Sequence, residues 1–245
     1  MNQVIELLKS HRSIRKFTDR PVDEPVLHEL IRAGQSAATS SHVQATTVIR
    51  VKDAEKRAQI AELAGNQAFI NSCAEFLVFC ADMKRVFDSC LRSGAEIKQG
   101  MTEQLLIATV DTALFAQNVA VAAESEGLGI CYIGGVRNNP QQISDILELP
   151  DDVYPVFGFC IGYPDQDPEV KPRLPLSVIL KEDRYDDHAD AERVGEFDDT
   201  MRAYYRSRSS SNKDSTWTDQ MQVLFTSKSR PHMREFLQKR GFELK

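Results

Sequence analysis

Apolar positions along the chain alternate between helical spacing and strand-length runs. Helical spacing predicts helices over residues 4–10, 23–34, 53–64, 102–126 and 138–149. Apolar or β-branched runs predict strands over 46–51, 75–82, 130–135 and 154–164. Most of these runs lack polar alternation, so we expect their strands to be buried on both faces. The pattern therefore predicts a central sheet covered by helices on each side, in a three-layer α/β or α+β core.

The character of the chain changes near residue 182. The remainder is highly charged and contains an amphipathic segment, a polar loop (SSSNKDS), the single tryptophan Trp217 and a last helix. We find neither a linker of disordered composition nor an internal repeat. We therefore interpret residues 1–245 as one domain, with a core of about 1–182 and a C-terminal arm of about 183–245 that wraps the core or a partner subunit.

Composition excludes several classes of protein. The 245 residues carry 30 basic and 36 acidic side chains, and this net charge of −6 argues against general binding to nucleic acids or anionic membranes. The five cysteines are odd in number and have no C-x-x-C spacing, so we expect neither a disulfide framework nor a zinc site. Buried free thiols and the lack of a signal sequence favour a cytoplasmic location. The apolar segment 105–123 contains Asp111 and predicts a buried helix rather than a membrane span.

Common catalytic and nucleotide-binding motifs are missing from the sequence. It contains no phosphate loop, no G-x-G-x-x-G turn that opens a helix, no H-E-x-x-H and no G-x-S-x-G. The histidines show no metal-ligand spacing, so we expect no metal site. We identify no catalytic side chains.

Four polar or basic clusters remain as candidates for binding. They are residues 11–16 (HRSIRK), Gly65-Asn66-Gln67, Tyr132-Ile133-Gly134-Gly135, and Lys171 with Arg173 between prolines. Guanidinium groups bind phosphate, and paired glycines allow a ligand to approach the backbone closely. Each cluster alone could instead be a solvated charge run or an ordinary turn. Together they indicate a site for a heterocycle that carries a phosphate.

The same segments carry a family resemblance over essentially the whole chain. HRSIRKF, SSHVQ, AGNQ, AEFLVFCAD, DTALFAQN, AAESEGLGICYIGGVRNN, KPRLP, YYRSRSSSNKDSTW and SRPHM together resemble the flavin-dependent nitroreductase superfamily, in its larger group A of oxygen-insensitive NADPH nitroreductases and flavin reductases. The resemblance implies a three-layer α+β fold with a central mixed sheet and a C-terminal extension that wraps the dimer. It also implies a homodimer that binds FMN non-covalently.

Residue by residue, the resemblance assigns most of the candidate site. It assigns flavin binding to His11, Arg12, Ser13, Arg15, Gln67, Tyr132, Ile133, Gly134, Gly135, Lys171 and Arg173, and to Thr39, Ser40 and Ser41 from the other subunit. Arg208 and Lys213 match the residues that hold the 2′-phosphate of NADPH, and Arg230 matches a residue of the substrate pocket. Lys213 stands where some relatives carry arginine, so the strength of the NADPH preference stays open.

The implied activity is ping-pong transfer of two electrons from NADPH, through FMN, to nitroaromatics, quinones or free flavin. The flavin carries the chemistry, which explains the lack of a catalytic side-chain set. One alternative is a non-catalytic FMN-binding, storage or sensor protein, which has no evident need for Arg208 and Lys213. Another is a relative that performs reductive dehalogenation or flavin fragmentation, which the C-terminal arm makes less favourable.

Overall fold

The computed structural model describes residues 2–208, 212–227 and 230–245. The chain forms two compact units, Met1–Asp167 with Arg230–Lys245, and Pro168–Ser229. The described helices of the first unit are α1 (Gln3–Lys9), α2 (Glu24–Gln35), α3 (Ala54–Leu63), α4 (Phe69–Ser72), α5 (Lys84–Arg92), α6 (Thr102–Ser125), α7 (Pro140–Ile146) and α11 (Met233–Lys239). Its strands are β1 (Thr46–Arg50), β2 (Glu75–Asp82), β3 (Gly129–Ile133) and β4 (Val153–Gly162). The second unit contains α8 (Leu176–Ile179), α9 (Asp190–Ser207) and α10 (Trp217–Ser227).

The sheet has the strand order β1-β2-β4-β3, so β1 and β3 are its two edges. All three neighbouring pairs are antiparallel. Among the described residues, parallel pairing is limited to an isolated bridge between Ser13 and Ile130. The predicted α+β class is confirmed, but the expected mixed sheet is corrected to an antiparallel sheet with one parallel bridge.

Strand β2 shows why the sheet lies at the centre of its unit. All eight of its residues are buried, as its unbroken apolar run predicts. Phe76 and Val78 pack into one core cluster with Ile60 of α3. Leu77 and Phe79 point to the opposite face and pack with residues of α2 and α6. Alternate side chains thus feed two cores, one on each face of the sheet.

The sequence predicts that α2 ends at Gly34, but the helix continues to Gln35. A Cβ atom at Gly34 would lie 2.3 Å from Phe115 and 2.7 Å from Val119, both on α6. The glycine therefore permits close packing of two helices.

Helix α6 is buried along one side and exposed along the other. In the described part of the chain it is the one helix long and apolar enough to cross a membrane by length and composition, and 33% of its apolar 18-residue stretch is buried. Leu106, Val110 and Leu114 repeat every fourth residue and are 54%, 53% and 43% exposed. The expectation of a buried helix therefore holds for only one side within a single chain.

The second unit has a small core of its own. Phe197, Met201 and Tyr205 lie on one face of α9 and are buried. Leu174 and Trp217 pack against them. The single tryptophan thus begins α10 and joins it to α9.

Candidate functional site

The basic segment near the amino terminus is fixed along the β3 edge of the sheet. The amide of Ile14 donates to the carbonyl of Ile130 at 2.8 Å, and the amide of Thr18 donates to the carbonyl of Tyr163 at 2.9 Å. Ile14 is buried, so it anchors the segment between flanking polar residues. The side chains on either side of Ile14 are thereby placed beside β3.

Three basic side chains of this segment, His11, Arg12 and Arg15, have different surroundings. His11 Nδ1 lies 2.5 Å from a carboxylate oxygen of Glu124. Arg12 donates to Asp167 at 2.5 Å. The Arg15 guanidinium makes no hydrogen bond or ion pair with any residue that the structure describes, and it is exposed. Of these three side chains, Arg15 is the one that is available to an anionic ligand.

Ser13 and Arg15 both act on the middle of β3. Burial raises the pKa of the Cys131 thiol, while the charge of Arg15 and a hydrogen bond with Ser13 oppose that rise. The side chain of the next residue, Tyr132, packs edge-on against Phe159 with 4.7 Å between ring centroids. The ring is only partly buried, and its hydroxyl donates to Gln117 Oε1 at 3.3 Å.

The glycine pair after β3 meets the candidate glutamine. A Cβ atom at Gly135 would lie 2.1 Å from the carbonyl oxygen of Ala64 and 2.5 Å from Gln67 Nε2. Gln67 itself donates to that carbonyl at 2.7 Å. Only glycine leaves room for this contact, which brings Gln67 and Gly135 together although they lie 68 positions apart in the sequence. The clusters around Ser13, Gln67 and Gly134-Gly135 thus share one region of the first unit.

The loop that carries Thr39, Ser40 and Ser41 lies elsewhere. It precedes β1, which is the edge of the sheet opposite β3. Ser41 has a φ of 47°, a left-handed conformation that costs energy for a residue with a side chain. Asp111 of α6 stabilises this loop, because its carboxylate accepts the amides of Ser40 at 3.0 Å and Ala45 at 3.2 Å.

The second unit holds four of the predicted cations. Lys171, Lys213 and Arg208 surround the ring of Tyr205, at 5.4, 4.5 and 5.8 Å from its centroid. None of these three, nor Arg173, forms a salt bridge with a described carboxylate. The unit therefore contains a cluster of positive charge that has no anionic partner in the described part of the chain.

Arg230 returns to the first unit. Its Nε donates to Asn138 Oδ1 at 3.0 Å, just after the turn that contains Gly134 and Gly135. A cavity of 310 Å³ opens beside Asn138 and His232. The predicted substrate-pocket residue thus lies next to the glycine turn and to a cavity.

Sequence reasoning missed three residues of this arrangement. Asp111 holds the loop at residues 40–45, Arg137 lies 3.4 Å from a Cβ built on Gly134, and Tyr205 centres the cation cluster. Burial and the charge of Arg230 lower the pKa of Arg137. A signal existed only for Asp111, as a carboxylate within an apolar helix.

The available donors suit an anionic cofactor that bears a phosphate. Arg15 has no partner in the described chain, and two buried polar atoms there also lack one, Thr39 Oγ1 and Arg208 Nε. A buried donor left unsatisfied costs about 1–3 kcal/mol, so such atoms mark places that a ligand can complete. These donors fit the phosphate and polar edge of FMN and the 2′-phosphate of NADPH.

Comparison with known proteins agrees with this geometry. Residues 8–163 match the model of the Nitroreductase family, and residues 171–245 match that of the Nitroreductase family, C-terminal domain. The chain is 44% identical to the NADPH-flavin oxidoreductase of Vibrio harveyi over 98% of each chain. It is 40% identical to the oxygen-insensitive NADPH nitroreductase of Salmonella typhimurium over 99% of each chain. A solved structure of the Vibrio harveyi NADPH:FMN oxidoreductase complexed with NAD+ superposes with a TM-score of 0.89, at 41% identity and 98% coverage of both chains. The chain therefore belongs to the nitroreductase family.

Proposed function

We propose that this protein is an FMN-dependent NADPH oxidoreductase that reduces nitroaromatics, quinones or free flavin. The observation that carries the proposal is Arg15 beside β3, whose guanidinium has no partner among the described residues, in a chain that matches the NADPH-flavin oxidoreductase of Vibrio harveyi over nearly its full length. When bound, FMN supplies a two-electron acceptor and donor, so that NADPH and the oxidant are used in turn in a ping-pong reaction.

The residues of the first unit would bind and orient the flavin. Arg15 supplies a guanidinium that binds anionic or carbonyl oxygens, and Ser13 supplies a hydroxyl next to it. Gly134 presents backbone without a side chain, which lets a planar ring approach closely. Gly135 is assigned to the same site, although Ala64 and Gln67 occupy the space that its side chain would take. Gln67 offers an amide beside that backbone. His11 and Arg12 are assigned to the same site, although each pairs with a carboxylate in this structure.

The cations of the second unit would bind phosphate groups. We assign Lys171 and Arg173 to the flavin phosphate, and Arg208 and Lys213 to the 2′-phosphate of NADPH. Arg208 Nε has no hydrogen-bond partner among the described residues, which supports this assignment because a phosphate oxygen can accept its hydrogen bond. Arg230 is assigned to the pocket that admits small-molecule electron acceptors, since it lies beside the glycine turn.

The position of the loop at Thr39–Ser41 supports the proposal of a homodimer. This loop lies at the β1 edge, whereas Ser13 and Arg15 lie at the β3 edge, so we propose that it completes the flavin site of a second copy. The stripe of Leu106, Val110 and Leu114 on α6 is an apolar surface that a second copy can cover. Whether the core of about 1–182 and the arm of about 183–245 act as one domain stays a prediction.

Mutation of the α6 stripe tests the dimer. Val110→Glu should convert the dimer to a monomer in multi-angle light scattering, because a charge would be buried at the contact. Leu91→Glu is the matched control, since Leu91 is 52% exposed on α5. A dimer that survives Val110→Glu unchanged would count against this interface.

We also propose a cytoplasmic location. All five cysteines are free, and four of them are buried. Free thiols persist in a reducing compartment. Fractionation of the native host followed by immunoblotting tests this assignment.

The first experiment is an anaerobic visible spectrum of the purified protein, taken before and after addition of NADPH or NADH. We expect a flavin band that NADPH bleaches faster than NADH. Bound flavin that neither dinucleotide bleaches would favour the alternative of an FMN store or sensor. A protein that binds no flavin even after addition of FMN would overturn the proposed site.

A further inference from the structure

Tyr205 lies at the centre of the cation cluster in the second unit. Its side chain is 4% exposed and belongs to the small core of α9. Lys213 Nζ lies 4.5 Å from the ring centroid, and the Arg208 guanidinium carbon lies 5.8 Å from it. An aromatic face attracts cations through its quadrupole, so the ring favours these two positions of the charged groups.

The hydroxyl of Tyr205 acts on a different cation. It donates to Gln220 Oε1 at 2.8 Å, and Lys171 Nζ lies 5.4 Å from the centroid of the same ring. Burial alone would raise the pKa of this phenol, but the nearby ammonium of Lys171, the hydrogen bond with Gln220 and the charge of Lys213 outweigh burial and lower it. The hydroxyl oxygen therefore faces positive charge from Lys171.

Other arginines of the same unit are held differently. Arg206 donates to Asp214 at 2.7 Å, and Arg202 pairs with both Asp199 and Asp214. A carboxylate neutralises the cation that it holds and competes with any phosphate for the same donors. An aromatic ring and a neutral hydroxyl orient a cation and leave its full charge available for an anion.

We infer that Tyr205 is a positioning residue that serves two anion sites, its hydroxyl orienting Lys171 for the flavin phosphate and its ring orienting Lys213 and Arg208 for the NADPH 2′-phosphate. This inference rests on the proposed function, which assigns these cations to those phosphates. Since one side chain holds both sets, the two effects can be separated by removing the hydroxyl alone or the ring as well.

The test compares Tyr205→Phe with Tyr205→Leu. Binding of FMN to the apoprotein is measured by quenching of flavin fluorescence, and binding of 2′,5′-ADP by calorimetry. Tyr205→Phe should raise the Kd for FMN about fivefold and leave the Kd for 2′,5′-ADP within about twofold of the wild type, because only the hydroxyl is lost. Tyr205→Leu should raise both Kd values about fivefold to tenfold, because the aromatic face is lost as well.

Steady-state kinetics give an independent readout. Tyr205→Leu should raise KM for NADPH but not for NADH, with kcat retained. Tyr205→Phe keeps the ring, so its ratio of the KM for NADPH to the KM for NADH should equal that of the wild type. A merely structural role of Tyr205 would change both dinucleotides alike. Tyr204→Phe is the matched control, because it removes only a long hydrogen bond of 3.4 Å to the carbonyl of Glu169.

The outcomes separate the inference from the function on which it rests. If the wild type binds FMN and 2′,5′-ADP, and Tyr205→Leu binds both with unchanged Kd, the inference alone is wrong. If Tyr205→Leu fails to fold, the result with Tyr205→Phe decides, and an unchanged Kd for FMN overturns the role of the hydroxyl. If the wild type binds neither FMN nor 2′,5′-ADP, the proposed function and the inference both fail.

Discussion

The basic segment of the first unit and the basic cluster of the second unit each contain one arginine that pairs with a carboxylate and a nearby arginine that does not. In the first, Arg12 is paired with Asp167 while Arg15, three residues later, has no partner among the described residues. In the second, Arg206 is paired with Asp214 while Arg208, two residues later, rests against aromatic rings. Neighbouring arginines thus differ in availability because distant carboxylates neutralise one and not the other. A cluster of basic letters does not by itself identify the residue that binds an anion.

The largest effect is expected at Arg15. Arg15→Ala should weaken FMN binding about 30-fold, since a charge-assisted hydrogen bond contributes about 1.5–3 kcal/mol. Titration of the apoprotein with FMN, followed by flavin fluorescence, measures the change. Lys16→Ala removes the same charge one position away and should have little effect; equal losses in both variants would indicate only a general field of positive charge.

The next effect is expected at Arg208. Arg208→Ala should raise KM for NADPH about tenfold and leave KM for NADH nearly unchanged, because only NADPH carries the 2′-phosphate. Arg206→Ala is the matched control, since Asp214 already neutralises Arg206. Equal losses with both dinucleotides would contradict the assignment of the 2′-phosphate.

A smaller effect, an increase in the preference for NADPH, is expected from a change at Lys213. Lys213→Arg should increase the preference for NADPH over NADH about threefold, because guanidinium can bind phosphate through two parallel hydrogen bonds. The ratio of kcat/KM for the two dinucleotides measures it. A lower ratio would indicate that the arginine fits the face of Tyr205 less well than the lysine does.

The smallest effect is expected from removing the ion pair between Arg12 and Asp167. Asp167→Asn should tighten FMN binding no more than about threefold, since exposed ion pairs contribute about 0.2–1 kcal/mol. The same fluorescence titration applies. A weaker affinity would show that Asp167 supports the site in some other way, for example by holding Arg12 in place.

Local pattern predicted many of the elements well. Helix α3 begins where expected because the side chain of Asp53 accepts the amide of Lys56 at 2.8 Å, the signature of an N-cap. The helix expected over 138–149 is shorter, Pro140–Ile146, because Glu148 adopts a left-handed φ of 53° that ends it. Helix α5, which follows β2, was not predicted from the sequence.

The candidate site was predictable in its residue types and less so in its partners. The clusters around Ser13, Gln67 and Gly135 were predicted from the sequence. The proximity of Gln67 and Gly135, however, depends on the close packing of Gly135 against the carbonyl of Ala64, which only a residue without a Cβ atom permits and which no local pattern encodes. Asp111 was visible as a carboxylate in an apolar helix, yet its bonds to Ser40 and Ala45 arise only when α6 packs beside the loop. The central position of Tyr205 had no local signal.

The sequence by itself determined the alternation of elements, the buried strands, and the sets of basic and glycine residues that suit a phosphate-bearing heterocycle. These properties follow from apolar spacing and side-chain chemistry, which are local. Only the tertiary structure decided that the strands run antiparallel and which cations keep their charge available. Those outcomes depend on contacts between residues far apart in the chain, such as Arg12 with Asp167 and Tyr205 with Lys171, because electrostatics and packing act through space.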